Sequence, residues 1–450
     1  MKHLQLIITT FMLMSCADSA HKQAIVTDLP DEFTSSDIDS INKIQQFWDN
    51  PFNNNKLSEL LNSSLENNLD IQQAWLNLKI ASSNFKVLKA SNNPKLDLVL
   101  KNEIATTNYK DSKTVREETN NLDLALSWQI DIWGKINKYA EVENFEYKAS
   151  SLDYIYTKQL IANQIITNYL TYNYLAKQIE LHQQYLDILN AELKYTTKLY
   201  QAGEVSLIDL NNAKLNVNNK KVKLTDQNNS LSLIKQNIAI LSNKNVQDLN
   251  LEITDFNITN IEEFSTVDIK QTRHDLKASE FRFLKQVKNT QAKKLERLPS
   301  LDLTLSYGLT ATTISDLYKA SLFNSLAGLT MPIFNSGSIK QNIKKAESEQ
   351  ELALLSYLQN INTALNEITT NYDLLKSNYQ ALDLGNKAIE LSTNSLAINK
   401  QLYNAGQANY LSLSQYKKEL IDTKIKQLTL KQNYLQQVAN TYNSLGGYNK

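Results

Sequence analysis

Cysteine, proline and glycine are scarce in this chain of 450 residues, which has one, five and nine of them. The lone cysteine, Cys16, excludes an intrachain disulfide and any Cys-rich metal site. The four histidines, His3, His21, His182 and His274, are scattered without HExxH-type spacing, so no metal centre is expected. Gly134-Lys135 has no glycine-rich loop ahead of it and is not a phosphate-binding loop. Neither sign of charge dominates, with 47 Lys and Arg against 47 Asp and Glu, so no basic field points to nucleic acid. Past the N-terminus there is no apolar run near the ~20 residues of a membrane-spanning helix. With 42% hydrophobic residues and a mean hydropathy of -0.41, a bundle of spanning helices is excluded. No cofactor and no catalytic constellation is expected. A membrane role has to come from β-strands or from a lipid.

The lipid has a candidate site. Lys2 and His3 open a short polar region, and Leu4 to Met14 form an apolar stretch of signal-peptide length. It ends in Leu13-Met14-Ser15-Cys16, which resembles a bacterial lipobox, with Met14 an uncommon residue in its slot. The resemblance implies removal of residues 1–15 and acylation (palmitate) of Cys16. Ala17 rather than Asp beside it implies sorting to the outer membrane.

The rare residues also show that the chain is written twice. Gly134 and Gly203 stand 69 positions apart, and so do Gly337 and Gly406. Between the first pair there is no Gly or Pro, and between the second only Gly385. Pro94-Lys-Leu-Asp-Leu-Val-Leu100 echoes Pro299-Ser-Leu-Asp-Leu-Thr-Leu305, and Leu199-Tyr-Gln-Ala-Gly203 echoes Leu402-Tyr-Asn-Ala-Gly406. An offset of 203 to 205 residues covers nearly everything after Lys56. This is an internal duplication.

Each copy holds two runs of period two, the pattern of a strand with unlike faces. Leu122, Leu124, Leu126, Trp128, Ile130 and Ile132 alternate with Asp123, Ala125, Ser127, Gln129 and Asp131. Leu301, Leu303, Leu305, Tyr307 and Leu309 alternate with Asp302, Thr304, Ser306, Gly308 and Thr310. Leu96, Leu98 and Leu100, and the run from Phe323 to Ile333, keep the phase less cleanly. Such runs fit a membrane β-barrel with a wet lumen, in which Asp97, Asp123, Asp131 and Asp302 would face the lumen. A soluble sandwich would show the same alternation. Trp128 and Tyr307 fit an aromatic girdle or ordinary lipid-facing bulk.

The stretches between the paired glycines read as helices of about 100 Å, with a break left open. Their apolar residues form two seams. Leu175, Ile179, Leu186, Leu189, Leu193 and Tyr200 make one; Leu181, Tyr185, Ile188, Tyr195 and Leu199 make another on an adjacent face. Two seams let each helix pack against a neighbour on both sides, which builds a curved wall. Another long helical stretch, 204–241, returns along the first. His182 lies on a seam opposite Gly385 of the second copy and reads as a packing residue. Four strands cannot close a barrel, since small ones need about eight, and an open edge in hydrocarbon leaves backbone groups unpaired. Membrane strands therefore demand association of copies, with two, three or four allowed.

At this point the chain resembles a known family, the TolC-like outer-membrane efflux factors, in particular their lipoprotein (NodT-like) branch attached to resistance–nodulation–division pumps. Phe47-Trp48-Asp49, Leu57, Leu60-Leu61, Leu65, Asn67-Asn68-Leu69-Asp70-Ile71 and Ala74 resemble that branch's opening signature. Arg273-His274-Asp275-Leu276 resembles its Arg-Pro-Asp-Leu, with His in the Pro slot. The segments 128–135 and 331–337 resemble its strand-to-helix junctions, and Ser444-Leu445-Gly446-Gly447-Tyr448 its closing Leu-Gly-Gly. The likeness covers about Trp48 to Tyr448.

It implies an α+β membrane protein acting as a homotrimer. Four strands per protomer would make a twelve-stranded β-barrel above a long periplasmic α-barrel. The lipid-anchored segment would span 16–56, the first repeat 57–241, an equatorial linker 242–273 and the second repeat 274–450. The loops at 109–120 and 311–322 would face outside. The implied role is a passive exit duct for small molecules in the Gram-negative outer membrane, served by a periplasmic adaptor and an inner-membrane pump.

Turns at Gly203 and Gly406 would form the periplasmic tip. Many relatives carry an acidic residue after both tip glycines. Here the first copy has Asp209 and the second a neutral Ser412. Closure at the tip would then rest more on helix packing and polar contacts near the tip than on a second carboxylate ring, unless Asp209 and Ser412 only cap or solvate their helices. Type I protein secretion is the alternative duct role. A lipid-anchored coiled-coil scaffold and a periplasmic enzyme are the alternatives of other classes.

Overall fold

A computed structural model describes residues 46–108, 110, 114–256 and 269–447. Cys16 and the signal segment lie outside the described residues, as do 257–268 of the linker and part of the 109–120 loop. The element order repeats. Helices α1 (Asn55–Asn67) and α2 (Leu69–Ala90) lead into strands β1 (Lys95–Thr107) and β2 (Val115–Ile130). The long α3 (Lys135–Gln201) and the returning α4 (Leu207–Ser242) follow. The second copy has α5 (His274–Leu295), β3 (Ser300–Ala311), β4 (Ser321–Thr330), α6 (Ser338–Asn404) and α7 (Tyr410–Leu445). Among the described residues no helix is long and apolar enough to cross a membrane.

The long helices are unbroken, at 67 residues each. Both end in the same way. Glu204 N–H donates to Leu199 O and Gly203 N–H to Tyr200 O, at 2.9 and 3.0 Å; Gln407 and Gly406 repeat the pair on Leu402 and Tyr403. This termination needs a left-handed residue at its turn, and Gly203 and Gly406 supply it at φ 77° and 75°.

The two seams of α3 go to two neighbours, except that Tyr185, expected on the second seam, packs with the α4 group under Lys220. Ile179, Leu186, Leu189 and Leu193 pack with Val217 and Leu224 of α4. The adjacent face meets α7, where the Tyr195 and Tyr410 rings lie 5.1 Å apart and Lys418 Nζ is 2.9 Å from the Glu192 carboxylate. In the half near the sheet the packing order is α2, α3, α5, α6; in the far half it is α4, α3, α7, α6. The helices thus form a wall whose edges are α2 with α4 on one side and α6 on the other.

The four strands form one antiparallel sheet in the order β1-β2-β3-β4, so β1 and β4 are its edges. The register brings like faces together. Leu98 opposes Leu124, which opposes Tyr307, which opposes Phe323, and the flanking rows continue this apolar face.

The main core lies where residues 47–52 and 434–446 converge on the wall. Phe47 stacks on Tyr442 at 4.1 Å, Phe52 and Tyr169 meet Phe256 edge-on, and the buried Trp48 Nε1 donates to Gly446 O at 3.0 Å. Gly447 N–H donates to Thr272 O at 2.9 Å. Arg273, 6 % exposed, bonds the carboxylates of Asp275 and Glu367 and the Ser444 carbonyl. Burial works against its charge, and the two carboxylates outweigh that and hold the guanidinium protonated.

Candidate functional site

The sheet gathers three of the four expected strand carboxylates on one face. Asp97 opposes Ala125, Asp123 opposes Gly308, and Asp302 opposes Gln129, all on the side away from the leucine rows. Lys95 Nζ is 2.9 Å from the Asp97 carboxylate. Gln129 Nε2 and Ser300 Oγ donate to Asp302 at 3.0 and 3.1 Å. Asp123 lies against Gly308 in the space that a side chain there would need.

Asp131 corrects the expectation. Its alternating run continues in sequence, but β2 stops at Ile130. The Asp131 carboxylate instead accepts the backbone N–H groups of Ile136 and Asn137 at 3.1 and 2.9 Å. Gly134, at the N-cap of α3, has no side chain to satisfy these donors, and Asp131 does so from three residues upstream. Trp128 donates its indole N–H to Asn92 O at 3.0 Å, and the exposed Trp133 does so to Pro299 O at 2.8 Å.

At the tip, Asp209 does cap a helix. Ser206 and Asp209 bond each other's backbone N–H groups in a capping box that starts α4. The Ser206 hydroxyl and backbone hold the Asp209 carboxyl below its usual range. The second tip is built differently. Asn409 caps α7 by accepting from Ser412 N–H at 2.9 Å, and the Ser412 hydroxyl accepts from Asn399 on α6 at 3.0 Å. Ser412 therefore ties the two helices of its hairpin. His182 is buried, with Nδ1 3.1 Å from Lys220 Nζ.

The wall edges are apolar and uncovered in the single chain. On α6, Leu384, Leu391 and Ile398 are 65, 68 and 59 % exposed. At the offset of 203 they match Leu181, Ile188 and Tyr195 of α3, which are half-buried on the side that meets α7. On α4, Ile208, Leu215 and Val222 are equally exposed, and they match Leu411, Lys418 and Ile425 of α7. Lys418 is in contact with α3 through Glu192.

The family model for outer membrane efflux proteins matches residues 60–243 and 267–447. The chain belongs to that family. Among its relatives, the cation efflux system protein CusC of Escherichia coli O157:H7 is 22% identical, covering 97% of this chain and 96% of CusC. The probable outer membrane lipoprotein SilC of Salmonella typhimurium is 24% identical, covering 98% and 97%. Among solved structures, the Campylobacter jejuni CmeC outer membrane channel superposes with a TM-score of 0.83 at 19% identity, covering 90% of this chain and 88% of that one. At that identity the likeness speaks for the fold. For an outer membrane efflux protein, the functional site is the wall itself: a sheet with unlike faces continued by helices with two uncovered edges.

Three features of this wall escaped sequence reading. The partners of Arg273 lie 94 and 171 positions away, the Glu192–Lys418 pair spans 226, and Asn399 reaches Ser412 from another helix. No local spacing signals any of them.

Proposed function

We propose that the chain is one of three copies that close into an outer-membrane duct, the passive exit of a tripartite efflux system for small molecules. The observation that carries this is the match between covered and uncovered seams. Within the chain, the α3 seam meets α7. Its duplicate on α6 and the duplicate of the α7 seam on α4 both lie open, so α6 of one copy fits α4 of the next. The same step joins β4 to β1 and leaves no open sheet edge in the hydrocarbon. Three copies of the four-stranded sheet give about twelve strands, enough to close a barrel, with the leucine rows facing lipid and Asp97, Asp123 and Asp302 facing the lumen.

The remaining parts belong to the same proposal. Cys16, acylated after loss of residues 1–15, adds a lipid anchor through segment 16–56. The repeats 57–241 and 274–450, joined by the linker 242–273, descend into the periplasm and end at the tips of Gly203 and Gly406. There a periplasmic adaptor meets the duct and couples it to an inner-membrane pump that supplies the energy. The relatives' printed activities, cation efflux among them, support small-molecule export over protein secretion.

In-cell cross-linking followed by purification of the tagged protein from outer membranes tests this reading. An adaptor and an inner-membrane pump are expected with it, together with conductance in planar bilayers. A protein that forms no conducting oligomer contradicts it.

A further inference from the structure

Among the described residues, four ion pairs join α3 to the second repeat. In the half near the sheet, Lys288 Nζ is 2.6 Å from the Glu141 carboxylate, Lys285 Nζ is 3.0 Å from that of Glu146, and Arg282 binds Asp153. These three tie α3 to α5. The fourth, Glu192 with Lys418, ties α3 to α7, and its side chains are only 11 and 14 % exposed. Each time the carboxylate is on α3 and the cation on the second repeat. From Glu141 to Glu192 the pairs span about 75 Å of helix.

The duplicate of this contact carries none of them. At the offset of 203, Glu141, Glu146, Asp153 and Glu192 match Lys344, Glu349, Ser356 and Ser395 on α6, and Lys418 matches Leu215 on α4. At the offset of 205 that relates Pro94 to Pro299, Arg282, Lys285 and Lys288 match Asn77, Ile80 and Ser83 on α2. Asn77, Ile80, Ser83 and Leu215 are all exposed in the single chain. In the proposed duct they meet α6 of the next copy. The four positions then pair Lys344 with Ser83, Glu349 with Ile80, Ser356 with Asn77 and Ser395 with Leu215, and no two of these are opposite charges.

The apolar residues do not tell the two contacts apart. Leu181, Ile188 and Tyr195 on α3 match Leu384, Leu391 and Ile398 on α6, and Leu411 and Ile425 on α7 match Ile208 and Val222 on α4. By shape alone, α3 could take α4 of another copy in place of α7. Charge separates the two. Two first repeats packed together would set the four carboxylates of α3 against Ser83, Ile80, Asn77 and Leu215, and would bury Glu192 without a cation. Two second repeats would set Lys288 against Lys344 and leave Arg282 and Lys418 facing serines; Lys285 with Glu349 would be the one match.

We infer that the four ion pairs sort the repeats when copies associate: the α3 face accepts a second repeat and rejects a first repeat of another copy. The α2 and α4 edge of that other copy is thereby kept for α6, and first and second repeats alternate round the wall. Discrimination of this kind needs an unfavourable alternative as well as a favourable contact, and the unpaired carboxylates supply it. This rests on the duct reading above, which says which edges meet; the ion pairs decide which edges are kept apart.

The test uses the full-length protein in outer membranes, with a thiol reporter of the wrong contact. Leu207 matches Tyr410, the ring neighbour of Tyr195. In a Tyr195→Cys, Leu207→Cys background, a short bismaleimide therefore joins two chains where α3 of one copy lies on α4 of another. With the ion pairs intact, no two-chain band is expected beyond that of either single cysteine variant. The changes Asp153→Ser, Arg282→Asn, Glu192→Ser and Lys418→Leu give two of the contacts the residues of the uncharged duplicate. They should raise that band on the order of tenfold, while heat-modifiable oligomer still forms. An assembled variant whose two-chain band stays at the starting level overturns the inference and leaves the duct intact. If that variant yields no oligomer, reversal of one pair decides. Lys418→Glu should lower the oligomer yield on the order of tenfold, and Glu192→Lys with Lys418→Glu should restore it to within about twofold, again without the two-chain band. A reversed pair that assembles no better than Lys418→Glu overturns the inference. A wild-type chain that forms no closed oligomer overturns the duct reading along with it.

Discussion

Asp123 on β2 lies directly across from Gly308 on β3, and its carboxylate lies where a Cβ at position 308 would have to sit. Leu122 O and the Asp123 backbone crowd the same spot. Position 308 therefore has room for no side chain, with the β2 backbone crowding it as well as the carboxylate. Gly308→Ala should destabilise the sheet by ~1–3 kcal/mol through overpacking and reduce the yield of heat-modifiable oligomer. Combining it with Asp123→Gly should recover part of that yield. Full assembly of the single variant would show that the sheet yields there.

The two sheet faces make a sharper demand. Leu126 belongs to the leucine rows and Ser127 to the carboxylate face. Leu126→Arg should cost ~2–4 kcal/mol if it lies near the bilayer midplane, and should hinder assembly. Ser127→Arg should assemble normally. Extraction yield of the oligomer from outer membranes distinguishes them, and equal damage from both would remove the lipid-facing assignment.

His182 sets a pH dependence in the α3–α4 hairpin. Burial first, then the charges of Lys220 and Lys223, push its imidazole down to about 4 from 6.5. A depressed folded value means that the neutral ring is the one the fold accommodates. The contribution is complete above 6.5 and is lost as pH falls from 6.5 towards 4. The thermal midpoint of the oligomer should fall over this window, and His182→Gln should flatten the dependence. An unchanged slope in that variant would put the pH sensitivity elsewhere.

The tips differ in chemistry, and conductance can tell whether that matters. Asp209 is engaged in its capping box and Ser412 in a hydroxyl contact with Asn399. Asp209→Asn should loosen the start of α4 more than it changes ion selectivity. Ser412→Asp should raise cation selectivity and sensitivity to divalent block if three added charges line the bore. Unchanged selectivity in planar bilayers would leave Ser412 with only its tie to Asn399.

How much of this was legible depended on whether a feature was periodic or distant. The seams of α3 could be read because Leu186 and Leu189 on one side and Ile188 and Tyr195 on the other recur at helical spacing, and each seam has its own neighbour. The strand faces were legible for the same reason at period two. Asp131 was misplaced because alternation does not reveal where a ladder ends, and the free N–H groups of α3 decided its role. Arg273 stood inside a recognisable motif, but its partners on α6 and at the end of α7 come together only in three dimensions.

In the proposed duct, copies join by repeating the contact already present within one chain. Tyr195 and Tyr410, in ring contact at 5.1 Å, match Ile398 on α6 and Leu207 on α4, both exposed. The most direct measurement is therefore cysteine cross-linking of the Leu207→Cys, Ile398→Cys double variant in outer membranes, where Cys16 is the chain's only other cysteine. A bismaleimide should give a denaturant-resistant species of three chains, and neither single variant should give it. Absence of that species, or a cross-link confined to one chain, would contradict the closed duct.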